Sequence, residues 1–235
     1  MCFNATTSLL TFSLTLVTSL YLYYTGYKNN DKSDTMVSLL VILIGLMQLI
    51  EYFLWKNQNC NFINHFFSLL IMVVLFLQPV LMIIYWYYVN SNKKMDSYTL
   101  YYIAFFSLVT IYTLYWLNKT KLCSKPTNNS CRLVWSPFTQ LYSKNIVLFF
   151  LWLTLYFIGC IIVFTKMSKN VDDILKYKFR YMFLPFTFMI AGLYTIITLG
   201  LNSVNPFYYL SYSDIFGSTW CFMAVFLGII GVLHI

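Results

Sequence analysis

The chain has 235 residues, a formal net charge of +8, 60% hydrophobic residues and only 9% charged residues. An ordinary soluble domain has roughly 45–50% apolar and about 25% charged residues. The composition therefore excludes a typical soluble fold and indicates a membrane protein. The cations are spread over loops that flank apolar segments, which argues against nucleic acid as a partner.

Seven apolar segments approach the roughly 20 residues that a helix needs to cross a bilayer. They cover residues 5–26, 35–56, 63–89, 98–118, 145–165, 181–201 and 215–235. Backbone groups in lipid must be paired within their own segment, so each is predicted to be a helix. Most connections are short, and we predict an all-α fold in which residues 1–235 form one domain, a polytopic bundle of about seven transmembrane helices.

The first segment begins almost at Met1 with no basic n-region and no small-residue cleavage site, so we expect a retained helix and not a removed signal peptide. One stripe of this helix carries four hydroxyl side chains: Thr7, Thr11, Thr15 and Thr18. Such hydroxyls usually form hydrogen bonds across helices. The stripe predicts helix packing more than a permeation path.

The second segment holds Glu51, which is the only carboxylate within any of the long apolar segments. A charge at the bilayer centre costs ~2.5 kcal/mol or more, so such a residue is a functional candidate. Gly45, Gln48 and Trp55 share its helix face. The cost is smaller near a helix end, so a structural role is an equal alternative, in which Glu51 pairs with one of three cations: Lys56, Arg132 or His65.

The later segments add fewer signals. Pro79 and Pro185 are predicted to kink the third and sixth helices. The long connection at residues 119–137 carries Cys123 and Cys131, which an oxidising compartment would allow to close a small disulfide loop, while the alternative is that both stay reduced. The connection at residues 166–180 carries five of the 15 Lys and Arg residues, more than any other connection.

Orientation follows from the loops. The side with the first, third and fifth loops carries nine Lys and Arg residues and the opposite side six. The positive-inside rule therefore favours a lumenal or extracellular N-terminus and a cytoplasmic C-terminus. Four cysteines and three glycosylation patterns fall on the predicted outer side.

This topology places several polar and aromatic residues at the membrane level of Glu51. They are Cys2, Asn4, His65, Trp135, Asp214, Ser218, Trp220 and Cys221. A zinc site formed from Cys2, Glu51, His65 and Cys221 matches no known ligand spacing, so no metal and no cofactor is predicted. HExxH, GxSxG and P-loop motifs are absent from the sequence.

Three short blocks carry a resemblance to a known family. They are Met1-Cys2-Phe3-Asn4 with Ser8, the stretch 47–55 (MQLIEYFLW) and the stretch 217–221 (GSTWC). Together they resemble a multi-pass membrane protein family of large DNA viruses of protists, and more distantly bacterial membrane proteins that begin MCFSA. Asn4 stands where Ser is commoner. The resemblance implies the architecture and a set of site positions, and it implies no activity.

Two functions are compatible with these patterns. The first is a protein in the lipid bilayer that handles or senses a small molecule, lipid or ion at Glu51. The alternative is a structural or assembly protein of a viral or organelle membrane without catalytic activity. An intramembrane enzyme ranks third, with Cys2 as an N-terminal thiol nucleophile after removal of Met1. The sequence does not indicate an oligomeric state.

Overall fold

The computed structural model describes residues 4–90, 94–126 and 133–168. Its elements in chain order are α1 (Ala5–Lys28), α2 (Lys32–Lys56), α3 (Phe62–Val89), α4 (Ser97–Asn118), β1 (Lys125–Pro126), β2 (Leu133–Val134), α5 (Ser136–Lys144) and α6 (Ile146–Ser168). All the helices except α5 are long and apolar enough to cross a membrane. These five correspond to the first five predicted segments. The predicted spans at 181–201 and 215–235, with Pro185, lie outside the described residues, so a total of about seven stays a prediction.

The connection after α4 contains structure that the sequence did not predict. The short strands β1 and β2 pair in antiparallel fashion, with Pro126 opposite Leu133, and the nine-residue helix α5 follows β2. A proline in the first turn begins α5, which is the position where its missing N–H costs nothing. Phe138 and Leu141 on one face of α5 are buried. This short amphipathic helix packs against the end of the bundle and does not cross the membrane.

Helices α1 and α2 pack closely as an antiparallel pair. At Gly45 an added Cβ would lie 2.8 Å from the Cβ of Thr15, so only glycine allows this approach. The hydroxyl of Ser19 donates to the carbonyl of Ser38 at 2.8 Å. Small and hydroxyl-bearing residues commonly allow such contact between membrane helices. Thr15 and Thr18 of the predicted stripe are buried in this interface.

Helices α3, α4 and α6 form the other half of the bundle. Helix α3 continues through Pro79, so the proline does not end it. Gly159 on α6 lies against this position, because a Cβ there would be 2.7 Å from the Cβ of Pro79 and would also meet the hydroxyl oxygen of Tyr102. Beside the proline, the Tyr156 hydroxyl donates to Gln78 Oε1 at 2.9 Å.

A polar clamp joins α3, α4 and α6 at the bundle end away from Glu51. Lys166 Nζ lies 3.0 Å from Asp96 Oδ2 and 2.6 Å from the Tyr87 hydroxyl, which itself donates to Asp96. Asp96 also caps α4 by accepting from the backbone N–H of Thr99 at 2.8 Å. Hydrogen bonds from Tyr87, then Thr99 and then Lys166 hold the pKa of Asp96 well below its usual value. We call these residues the Asp96 clamp.

Candidate functional site

Glu51 lies on α2 about one turn before the helix ends, and its side chain is only 1% exposed. The indole Nε1 of Trp135 donates to Glu51 Oε1 at 3.1 Å. Trp135 is equally buried and lies between β2 and α5. The structure therefore joins two residues that the sequence placed at one membrane level, although 84 positions separate them along the chain.

Trp135 belongs to a segment that covers this end of the bundle. We define the cap as residues 119–126 and 133–145. Asn64 of α3 holds it by donating to the carbonyl of Ser124 and accepting from its backbone N–H, both at 2.8 Å. The hydroxyls of Ser68 and Ser124 lie 2.7 Å apart, and Ser124 Oγ accepts from the backbone N–H of Ser136 at 3.0 Å. This buried network fixes the backbone next to Trp135.

Sequence analysis did not identify Asn64, Ser68, Ser124 or Ser136. The sequence does contain a pattern that could have indicated Asn64 and Ser68. They lie one helical turn apart in an apolar segment, where polar side chains usually face a partner. Their partner is a loop, and its position could not be obtained from helix periodicity.

A disulfide between Cys60 and Cys123 also fastens the cap, with Cα atoms 4.8 Å apart. The predicted pairing of Cys123 with Cys131 is therefore wrong. Cys131 lies outside the described residues. The prediction favoured closeness in sequence, whereas antiparallel helices bring the α2–α3 loop and the cap to the same end of the bundle. Cys60 adopts a left-handed backbone conformation with φ of 51°, which is uncommon for a residue with a side chain.

His65 contributes to the cap and not to Glu51. Its Nδ1 accepts from the backbone N–H of Leu122 at 3.3 Å, and its Nε2 lies 3.2 Å from Asn118 Oδ1. Both ring nitrogens are thus used elsewhere, so the predicted alternative of a Glu51–His65 pair is wrong. The Lys56 side chain is exposed, and Arg132 lies outside the described residues.

Gln48 lies one turn before Glu51 and is completely buried. Its Oε1 lies 3.0 Å from the hydroxyl oxygen of Thr11. Within the described part of the chain, Gln48 Nε2 and the hydroxyl of Ser8 are buried without a hydrogen-bond partner. Thr11 opposes Gln48 across the antiparallel pair, so one turn further Ser8 lies at the level of Glu51.

Ser8, Gln48, Glu51 and Trp135 are the residues that we call the Glu51 cluster. The other predicted site residues have different positions. Trp55 is partly buried and packs on the apolar core. Asn4 is exposed and caps α1, since its Oδ1 accepts from the backbone N–H of Thr7 at 2.9 Å. Four further predicted site residues lie outside the described residues: Cys2, Ser218, Trp220 and Cys221.

The chemistry of the Glu51 cluster is that of hydrogen bonding. It combines one carboxyl group, one amide, one hydroxyl and one indole N–H in an apolar setting. No group of three or more metal-ligating side chains occurs within the described residues.

Five helices of membrane-spanning length and apolar content, within the described residues, are those of a multi-pass helical membrane protein. Comparison with protein-family models, with curated proteins and with solved structures gave no match.

Proposed function

We propose that this membrane protein binds a small polar molecule or ion at the Glu51 cluster. The observation that carries the proposal is the Gln48 amide, which is buried beside a carboxyl group and has one end without a partner among the described residues. An unpaired buried donor costs about 1–3 kcal/mol. A ligand that supplies the missing hydrogen bonds would recover this free energy as binding affinity.

The neighbourhood of Thr11 defines which ligand groups would fit. Its hydroxyl lies 2.9 Å from the carbonyl of Thr7 and about equally far from the carbonyl of Ser8 and from Gln48 Oε1, both at 3.0 Å. A hydroxyl has one proton to donate. If the Thr11 hydroxyl donates to a carbonyl of its own helix, it can accept from Gln48. The Gln48 amide is then rotated by 180°, so that Nε2 donates to Thr11 and Oε1 is left without a donor. A ligand with both donor and acceptor groups satisfies either arrangement.

The disulfide supports an orientation for this site. Disulfides persist in oxidising compartments, and the Cys60–Cys123 bond lies at the end of the bundle where α1 begins. We infer that this end, with the N-terminus, faces the lumen or the exterior. The charge difference between the loops favours the same orientation.

The second candidate function is a structural or assembly role in a membrane, including a viral one as the family resemblance suggests. The Glu51–Trp135 hydrogen bond favours it, because this bond ties α2 to the cap. In this case the cluster binds no ligand.

The two functions predict opposite results for Gln48→Leu in the purified protein without ligand. A binding site retains an unpaired polar group at a cost to stability, so we expect Gln48→Leu to raise the unfolding midpoint in detergent. If the cluster only holds the helices and the cap together, Gln48→Leu should lower the unfolding midpoint. Ser19→Ala is the matched control, since it removes a hydrogen bond from the same α1–α2 interface away from the cluster.

Binding itself is tested by thermal unfolding with a panel of amino acids, small amines and monovalent cations. We expect at least one compound to raise the midpoint of the wild-type protein and of Ser19→Ala. The same compound should not stabilise Gln48→Leu or Glu51→Gln. Binding that persists in both cluster variants would refute the proposed site.

A further inference from the structure

A groove outside the bundle lies between α3 and α4, on the other side of α3 from the polar network. Its walls are apolar and are formed by Phe66, Leu69, Leu70 and Val73 of α3 and by Leu114 and Tyr115 of α4. The α3 residues follow the spacing of one helix face, so the groove runs along the helix axis. Its volume of about 360 Å³ is near the lower limit for ligand pockets of roughly 300–1,000 Å³. This volume suits one hydrocarbon chain better than a whole lipid.

The groove becomes polar at the end near the cap. Asn118 lines it there, and the next residue is Lys119. The Lys119 ammonium lies 4.1 Å from the centroid of the Tyr115 ring, which also lines the groove. A cation therefore lies directly beside the polar end of the apolar groove.

The surface around this polar end is basic. It carries five exposed lysines: Lys56, Lys119, Lys121, Lys125 and Lys144. Among the described residues the only acidic side chain at this end of the bundle is Glu51, which is buried. Basic residues near a membrane surface attract anionic headgroups.

We propose that this groove is a binding site for one anionic phospholipid. One acyl chain lies along the groove, and the headgroup phosphate contacts Lys119 and Asn118 at its polar end. The apolar walls explain why the groove binds an acyl chain. The cationic surface explains a preference for anionic over zwitterionic headgroups. The site does not involve the Glu51 cluster, so its test is independent of the proposed function.

The test measures which lipid stays bound to the full-length protein. The protein is reconstituted in nanodiscs with an equimolar mixture of phosphatidylglycerol and phosphatidylcholine, transferred to detergent, and analysed by native mass spectrometry. We expect one phosphatidylglycerol to be retained preferentially. Lys119→Gln should reduce this preference about fivefold, as expected for loss of one basic contact. Leu70→Trp, which fills the groove, should abolish retention.

Two exposed positions provide matched controls. Lys121→Gln removes a nearby lysine of the same surface, and Leu108→Trp adds a tryptophan to a part of α4 outside the groove. Both should retain the lipid with nearly unchanged preference. Equal retention of the two lipids by the wild-type protein, or an equal effect of Lys121→Gln and Lys119→Gln, would overturn the proposal. Displacement of the lipid by inorganic phosphate would overturn it too, because the site would then recognise a soluble anion.

Discussion

Replacing Trp135 by Phe removes one hydrogen bond and keeps most of the ring packing. The indole donates to Glu51 Oε1 at 3.1 Å, and both side chains are 1% exposed. Trp152 offers a matched comparison, since it is also 1% exposed and donates at 3.1 Å to a neutral acceptor, the hydroxyl oxygen of Thr110. The pair of variants therefore isolates the chemistry of the acceptor.

The expected difference applies to an ionised Glu51, whose carboxylate accepts from Trp135, compared with the neutral Thr110 hydroxyl that accepts from Trp152. A hydrogen bond to a charged group contributes about 1.5–3 kcal/mol to stability, whereas a neutral one contributes about 0.5–1.5 kcal/mol. The loss of ring volume is the same in Trp135→Phe and Trp152→Phe, and its cost largely cancels in the comparison. We expect Trp135→Phe to lower the free energy of unfolding by about 1 kcal/mol more than Trp152→Phe.

Equilibrium unfolding in mixed detergent micelles, followed by far-ultraviolet circular dichroism, measures both variants. A double-mutant cycle with Glu51→Gln then isolates the contribution of charge at residue 51, because the amide oxygen of glutamine can still accept from the indole N–H but carries no formal charge. We expect the cost of Trp135→Phe to fall when residue 51 is neutral.

Two outcomes would contradict this prediction: Trp135→Phe costs no more stability than Trp152→Phe, or its cost is unchanged by Glu51→Gln. Either result would mean that the indole–carboxyl bond is not charge-assisted in the folded protein. The proposed binding site would then rest on Gln48 alone.

Three further results are expected. Gly159→Ala should lower the free energy of unfolding by about 1–3 kcal/mol through overpacking. Tyr102→Phe should restore part of this loss, because it removes the hydroxyl oxygen that the new Cβ would meet. A wild-type unfolding midpoint for Gly159→Ala would contradict the packing. Reduction of the Cys60–Cys123 disulfide, which spans 63 residues, should lower the free energy of unfolding by up to about 4 kcal/mol. Peptide mapping without reductant should recover these two cysteines linked to each other, and any other pairing refutes the assignment. The Asp96 clamp should stabilise the protein above pH 3.8 and lose this contribution as the pH falls below that value, towards the lowered pKa of Asp96 in the folded protein. Asp96→Asn should therefore weaken the dependence of the unfolding midpoint on acidic pH. An unchanged dependence would exclude the clamp as its source.

Hydropathy predicted the five described membrane helices to within a few residues at each end. This was possible because length and apolar content are properties of a single segment. The apolar content of the second segment also identified Glu51, because a carboxyl group in an apolar segment is recognisable without knowledge of its contacts. Gln48 was identified from its position three residues before Glu51, which places both side chains on one helix face.

The cap was beyond sequence analysis because contacts between distant segments determine its position. Asn64 and Ser124 lie 60 positions apart, and Cys60 lies 63 positions from Cys123. Periodicity gives no information on such pairs. His65 shows the same limit, because its membrane level was judged from topology but its partners are a backbone N–H and Asn118.

The packing around Glu51 also indicates how a ligand would reach the cluster. Towards the far end of α1 and α2 the two helices close at Gly45, where even a Cβ would meet Thr15 at 2.8 Å. The opposite direction along the two helices leads to the cap, which the Cys60–Cys123 disulfide fastens to the α2–α3 loop. We expect reduction of this bond to increase quenching of Trp135 fluorescence by acrylamide, with the Trp135 signal obtained by subtracting the signal of Trp135→Phe under the same conditions. Unchanged quenching would show that the polar network of Asn64 holds the cap without the disulfide, and access would then require the network itself to open.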